Sequence, residues 1–149
     1  MIIGAPLPPR IMIPSVGISA PIVRGVSEFQ LAHGAGHYPG TAWPGRPGTV
    51  AFAGHDVTYV RNAKGGHVFG QLAEAHENGN SVIGKRVIIH WHHREYLYKI
   101  TKQKVVPPTD VAVLRGPKYG HRLVLTTCYP RYSAAKRLVT IAWQVFRRR

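Results

Sequence analysis

Acid is scarce in this chain: six Asp and Glu stand against twenty Lys and Arg in 149 residues, a formal net charge of +14. The few carboxylates are scattered singly, which argues against a built-in calcium site of the carboxylate-rich kind. Cysteine is scarcer still. The single Cys128 excludes an internal disulfide and any Cys-rich zinc site, and leaves a thiol that is either a small buried residue or a reactive one. No apolar run approaches the roughly 20 residues needed to span a bilayer. Met1 to Pro6 is too short and proline-rich for a signal peptide, so any exporting or anchoring segment is expected outside this stretch. What the chain has in plenty is glycine and proline, 16 and 12. That balance favours many short strands joined by turns over long helices. A surface this basic is drawn to polyanions: nucleic acid, anionic lipid headgroups or acidic wall polymers.

The pattern reads as one domain, residues 11–146, after an extended lead-in over 1–10 and before a basic tail at 147–149. Strands are expected at Ile11–Ile13, Ala20–Val23, Val50–Ala53, Val87–Trp91, Tyr96 onward to Val106, Val111–Leu114, Leu123–Cys128 and Leu138–Trp143. His92 to Glu95 would turn the fourth strand into the fifth as a hairpin. Phe69, Leu72 and Ala73 stand at helical spacing, which predicts a short helix over Phe69–His76 stopped by Asn78-Gly79-Asn80. His33–Gly48, rich in Gly and Pro, reads as a long loop that packs over something. Hiding the edges of so many short strands calls for a closed or nearly closed barrel, so the fold class is all-β with one or two short helices.

Chemistry gathers around Cys128. Leu123 and Leu125 alternate with Val124 and Thr126, and Pro130 ends the ladder just past the thiol. A strand end lies at the rim of a sheet, where a side chain meets solvent and substrate. Arg131 and Arg137 flank it, and positive charge favours the thiolate. A cysteine nucleophile needs a base. Of nine histidines, His90, His92 and His93 lie at the hairpin, and no carboxylate or thiol completes a metal set there. His33, His67, His76 and His121 read as residues of polar turns or a helix end. His37, in the Gly-rich loop, and His55, just after a buried strand and beside Gly54, remain. His55 is the better candidate, because it too ends a strand. Asp56 is poorly placed to orient it, since neighbours in an extended chain point to opposite sides.

Leu125-Thr126-Thr127-Cys128, with Arg137 nine residues on and Leu138-Val139 after it, resembles the active-site strand pair of sortases. Gly34 to Ala42, Gly48 to His55 and Val105 to Val111 are similar to further sortase blocks in the same order. Cys128 to Val139 looks closest to the class E-like, actinobacterial housekeeping members. The resemblance implies a closed eight-stranded sortase barrel and a cysteine transpeptidase that needs no cofactor or metal. It puts the family's Cys, His and Arg on Cys128, His55 and Arg137, and substrate positioning on Thr127 and Tyr129. The implied substrate is a sorting signal of the Leu-Pro-X-Thr-Gly kind, or with Ala for Pro, cut after Thr. The implied acceptor is an amine of a cell-wall precursor or pilin, and the implied location is the extracytoplasmic face of the membrane, against an anionic membrane or wall.

Moving a proton from a free thiol to a free imidazole costs roughly 2.7 kcal/mol. An ion pair at ~4 Å and an effective dielectric near 20 returns about 4, and at ~8 Å about 2. The population of the reactive ion pair therefore depends on a few ångströms. Two other readings use the same features. A basic barrel could bind nucleic acid on Trp91, Tyr96 and Tyr98, although Val87, Ile89 and Trp91 share one face as core residues do. A cysteine hydrolase would release the acyl group to water instead of passing it on.

Overall fold

Leu123 and Leu125 alternate with Val124 and Thr126, and the two sets are buried in different places. The leucines enter a large interior core with Val50, Phe52, Val87, Ile89, Tyr98, Ile100 and Leu138. Val124 joins a smaller cluster on the other face of the sheet, with Ala51, Val106, Val113, Val139 and Ile141. This two-sided burial follows from the period of two along a strand, and it explains why the central strands carry few polar residues.

The computed structural model describes residues 8–55, 68–130 and 133–146. Among these residues there are eight strands: β1 (Arg10–Ile13), β2 (Ile18–Arg24), β3 (Ala35–His37), β4 (Gly48–Ala53), β5 (Arg86–Trp91), β6 (Arg94–Val106), β7 (His121–Tyr129) and β8 (Lys136–Gln144). They close into a barrel in the order β1-β2-β3-β4-β7-β8-β6-β5, with β5 pairing back onto β1. Closure removes most of the free strand edge, although β3 pairs only with Ile22–Arg24 of β2 and with Phe52 and Ala53 of β4. Two short helices, α1 (Glu28–Leu31) and α2 (Gly70–Glu77), accompany the strands. The expected all-β class and eight-stranded closed barrel are what the structure has.

The expected hairpin is β5–β6, with Trp91 opposite Arg94. Its two turn residues, His92 and His93, take left-handed backbone angles (φ 48° and 64°), as a tight two-residue turn between twisted strands requires. Two expectations need correction. Val111–Leu114 is not a strand but a 3-10 turn over Ala112–Leu114. The carboxylate of Asp110 accepts the Ala112 N–H at 3.0 Å and sets the turn, while Val113 plugs into the outer cluster. Conversely, the His33–Gly48 loop contains a strand, β3. It is only three residues long and built from Ala, Gly and His, so it carries no alternation to read. The two errors cancel in the count of eight. His121, expected in a turn, opens β7, and Arg10, expected in the lead-in, opens β1.

The rest of that Gly/Pro segment turns away from the thiol. Trp43 stacks with His37 (centroids 3.6 Å apart) and with Trp91 (4.7 Å), and His92 stacks with Trp91 at 4.5 Å. The loop therefore covers the barrel end where β5 turns into β6, opposite the end at which β7 reaches Cys128.

Candidate active site

Three strands deliver the expected residues to one end of the barrel. β7 and β8 are antiparallel, and their register sets Cys128 directly opposite Arg137, after Thr126–Val139 and Thr127–Leu138. Directly opposed residues project from the same face of a sheet. That face is the outer one, because Val124, Val139 and Ile141 on the same alternation form the outer cluster. On the other side of β7, β4 runs parallel to it, with Ala53 opposite Thr126. Pairing continues one residue further, since the Gly54 N–H donates to the Thr126 carbonyl at 3.0 Å. The chain then presents His55, four residues on from Ala51 of the outer cluster. The alternation aims it at the face shared by Cys128 and Arg137.

His55 is held from both sides. The Phe69 N–H donates to its carbonyl at 2.9 Å, and a Cβ at Gly54 would collide with the Phe69 ring. The glycine expected to permit a close approach is thus approached by a buried aromatic ring, not by a ligand. Across from the imidazole, Glu28 of α1 brings Oε2 to 3.7 Å from Nε2, with its own side chain 92% exposed. In the Arg137 guanidinium, Nη1 donates to the carbonyls of Ala134 and Lys136, both at 3.0 Å. These bonds tether the fork to the β7–β8 connection. Its other nitrogens make no hydrogen bond among the described residues. Cys128 itself is half-buried and in no disulfide.

Thr127 and Tyr129, the other expected site residues, lie on the alternate phase of β7. Thr127 is buried, and its Oγ1 has no hydrogen-bond partner among the described residues. Tyr129 packs against the interior core and meets the ring of His76 edge-on at 5.2 Å. Asp56, His67 and Arg131 lie outside the described residues.

His37, the alternative base, is a structural residue. It is 2% exposed, donates from Nε2 to the Ala42 carbonyl at 2.8 Å, and stacks on Trp43. Burial pushes its pKa below the ordinary imidazole value; the Ala42 bond opposes this and Arg24 adds to it. His90 pairs with Glu95 at 3.2 Å. Among the described residues no three His, Cys, Asp or Glu side chains cluster as metal ligands do.

Two contributors were not foreseen. Tyr38 forms a hydrogen bond between its hydroxyl and Thr126 Oγ1 at 2.8 Å, fastening the β3–β4 connection to the strand that carries the thiol. Arg122 donates to Val113 O (2.7 Å), Arg115 O (3.3 Å) and Thr49 Oγ1 (3.1 Å), tying the turn between β6 and β7 to β4. Burial lowers its pKa somewhat. Arg122 follows His121 in a basic stretch that looks merely solvated, so nothing in the sequence marks it.

Residues 11–145 match the family model of the sortase domain. The chain belongs to the sortase family. Sortase D of Bacillus subtilis (strain 168) is 30% identical over 118 residues, which is 79% of this chain and 52% of that protein. The chain thus spans about half the length of that curated relative. Among solved structures, a lid mutant of sortase A from Corynebacterium diphtheriae superposes with a TM-score of 0.80 at 26% identity, covering 96% of this chain and 72% of that one. A sortase D5 transpeptidase from Clostridium perfringens gives 0.74 at 25%, covering 93% and 78%. The sortase expectation and the barrel expectation are both met. Sortases named C, such as sortase C1 from Streptococcus agalactiae (TM-score 0.79, 23% identity, covering 94% of this chain and 68% of that one), share the fold too, and the class E-like expectation finds no counterpart in these names.

Proposed function

We propose that this sortase-family chain is a cysteine transpeptidase acting on a Leu-Pro-X-Thr-Gly or Leu-Ala-X-Thr-Gly signal. The Cys128 thiolate attacks the Thr carbonyl, and the Arg137 fork with backbone N–H groups steadies the oxyanion. The imidazolium of His55 protonates the departing Gly amine, leaving a thioester on Cys128. His55 then takes a proton from the incoming amine, which attacks the thioester and expels the thiolate. Thr127 and Tyr129, on either side of the thiol in β7, help to position the signal. The acceptor is an amine of a wall precursor or pilin, and the work is done at the extracytoplasmic face of the membrane. Among the described residues no helix is long and apolar enough to cross a bilayer.

The observation that carries this reading is the register opposing Cys128 to Arg137, together with the Gly54–Thr126 bond that extends β4 toward His55. It supports acyl transfer because nucleophile, proton carrier and anion binder come from three adjacent strand ends. The nucleic-acid reading finds no such support, since Trp91 is already stacked with Trp43 and His92 and Tyr98 is fully buried. Incubation with a small library of signal peptides plus an amine, read by mass spectrometry, tests the proposal. Cys128→Ala should abolish cleavage, and survival of activity in that variant would overturn the mechanism. A product carrying the amine separates transfer from hydrolysis.

A further inference from the structure

The barrel end remote from Cys128 has features that acyl transfer does not use. Arg24, Arg46 and Arg94 line one open cavity of about 380 Å³ together with Trp43, Trp91, His92 and Tyr96. All three arginines are exposed. Arg24 lies over the Trp43 ring at 5.4 Å, and among the described residues none of the three meets a carboxylate. Glu95, beside Arg94, is engaged by His90 at 3.2 Å, and Glu28, four residues after Arg24, lies 3.7 Å from the His55 imidazole. Arg94 and Tyr96 also line a second cavity of about 690 Å³, with one acid, Glu95, and the apolar Val145 and Phe146. Phe146 is 65% exposed and Val145 42%. All three tryptophans of the chain lie toward this end, since Trp143 pairs with Arg122 near the start of β7. Six residues of extended strand separate Arg122 from Cys128, so the two ends are on the order of 20 Å apart.

Unpaired guanidiniums beside exposed apolar side chains and tryptophans are the chemistry of an anionic lipid surface. A soluble polyanion would satisfy the arginines but gain nothing from Phe146 and Val145. We infer that this end of the barrel rests on an anionic lipid surface, Arg24, Arg46 and Arg94 taking headgroup phosphates while Phe146 and Val145 enter the acyl boundary. Cys128 then faces away from the lipid, toward incoming signals and amines. The inference rests on the proposed extracytoplasmic placement and says which face meets the membrane.

The test uses the whole chain with vesicles of phosphatidylglycerol and phosphatidylcholine, against phosphatidylcholine alone, by co-sedimentation and by quenching of tryptophan fluorescence with brominated lipid. Each basic residue held at such a surface contributes about five-fold to partitioning. Replacing Arg24, Arg46 and Arg94 together by Gln should therefore weaken binding by on the order of 100-fold, and by more than tenfold even where contacts are partial. The same charge removed from the barrel wall, as Lys85→Gln, Arg86→Gln and Lys102→Gln, should cost less than about threefold. Phe146→Ser should reduce quenching with charge unchanged. Equal losses in the two triple variants, no binding to phosphatidylglycerol vesicles, binding without quenching, or full displacement by soluble glycerol-phosphate polymer would each overturn the inference. Peptide cleavage measured without vesicles reads the transpeptidase proposal separately, so either can fail alone.

Discussion

At the scale of single residues, the site depends on where two short hydrogen bonds end. Arg137 spends one guanidinium nitrogen on Ala134 and Lys136, and this aims the rest of the fork. A lysine would keep the charge and lose the planar pair of donors. Arg137→Lys should lower kcat/KM for signal peptide by about 100-fold, as loss of an oxyanion donor does, with an unchanged unfolding midpoint. Gly54 carries a different demand. Gly54→Ala must displace the buried Phe69 ring, and overpacking of this kind costs about 1–3 kcal/mol. The same backbone presents His55, so denaturant unfolding should show the loss of stability and peptide cleavage should fall further than stability alone explains. His37 adds a pH dependence. Its folded pKa lies below the free value, so the unfolded chain binds the extra proton. Its contribution is complete above pH ~6.5 and declines as pH falls from there toward the folded value, at no more than about 1.4 kcal/mol per unit. Denaturation at pH 7.5 and 5.5 should show a smaller acid loss in His37→Gln than in the parent.

At the scale of elements, one side chain reinforces the connection between β6 and β7, beside the packing of Val113 and the Gly48–Gly120 backbone bond. Arg122 joins the carbonyls of Val113 and Arg115 to Thr49 Oγ1, and so fixes the wall beside the outer cluster. In a double-mutant cycle, Arg122→Lys and Thr49→Val should be non-additive by about 0.5–3 kcal/mol in unfolding free energy. Arg122→Lys should also raise KM more than it lowers kcat, if the wall contributes to binding the signal. This connection is also where the sequence misled. Val111–Leu114 has the composition of a strand, and only the Asp110 carboxylate, acting two residues on, makes it a turn. β3 was hidden for the opposite reason, as Ala35, Gly36 and His37 have no alternation and acquire strand form only from β2 and β4 on either side. The strands that carry Cys128, Arg137 and His55 were legible because period-two burial writes itself into the composition of β4, β7 and β8. The positions of Glu28, Tyr38 and Arg122 were not, since contacts between distant segments leave no local trace.

At the scale of the whole molecule, charge and topology dominate. A net charge of +14 predicts association with nucleic acid that is indifferent to sequence and falls steeply with salt. Mobility-shift titrations should give equal affinities for unrelated duplexes, converging on no binding as ionic strength rises past physiological values. Sequence preference would instead revive a nucleic-acid function.

The parallel pairing of β4 with β7 has a kinetic side. His55 and Cys128 are more than seventy residues apart along the polypeptide, and only the pairing of β4 with β7 brings their strand ends side by side. A contact map so dominated by remote partners implies slow folding, on the millisecond-to-second scale. Until β4 and β7 pair, the chain would hold the proposed nucleophile and its proposed proton carrier apart. Completion of the barrel would thus act as a safety catch on the proposed chemistry, leaving the sulfur without its partners until the last strands are in place.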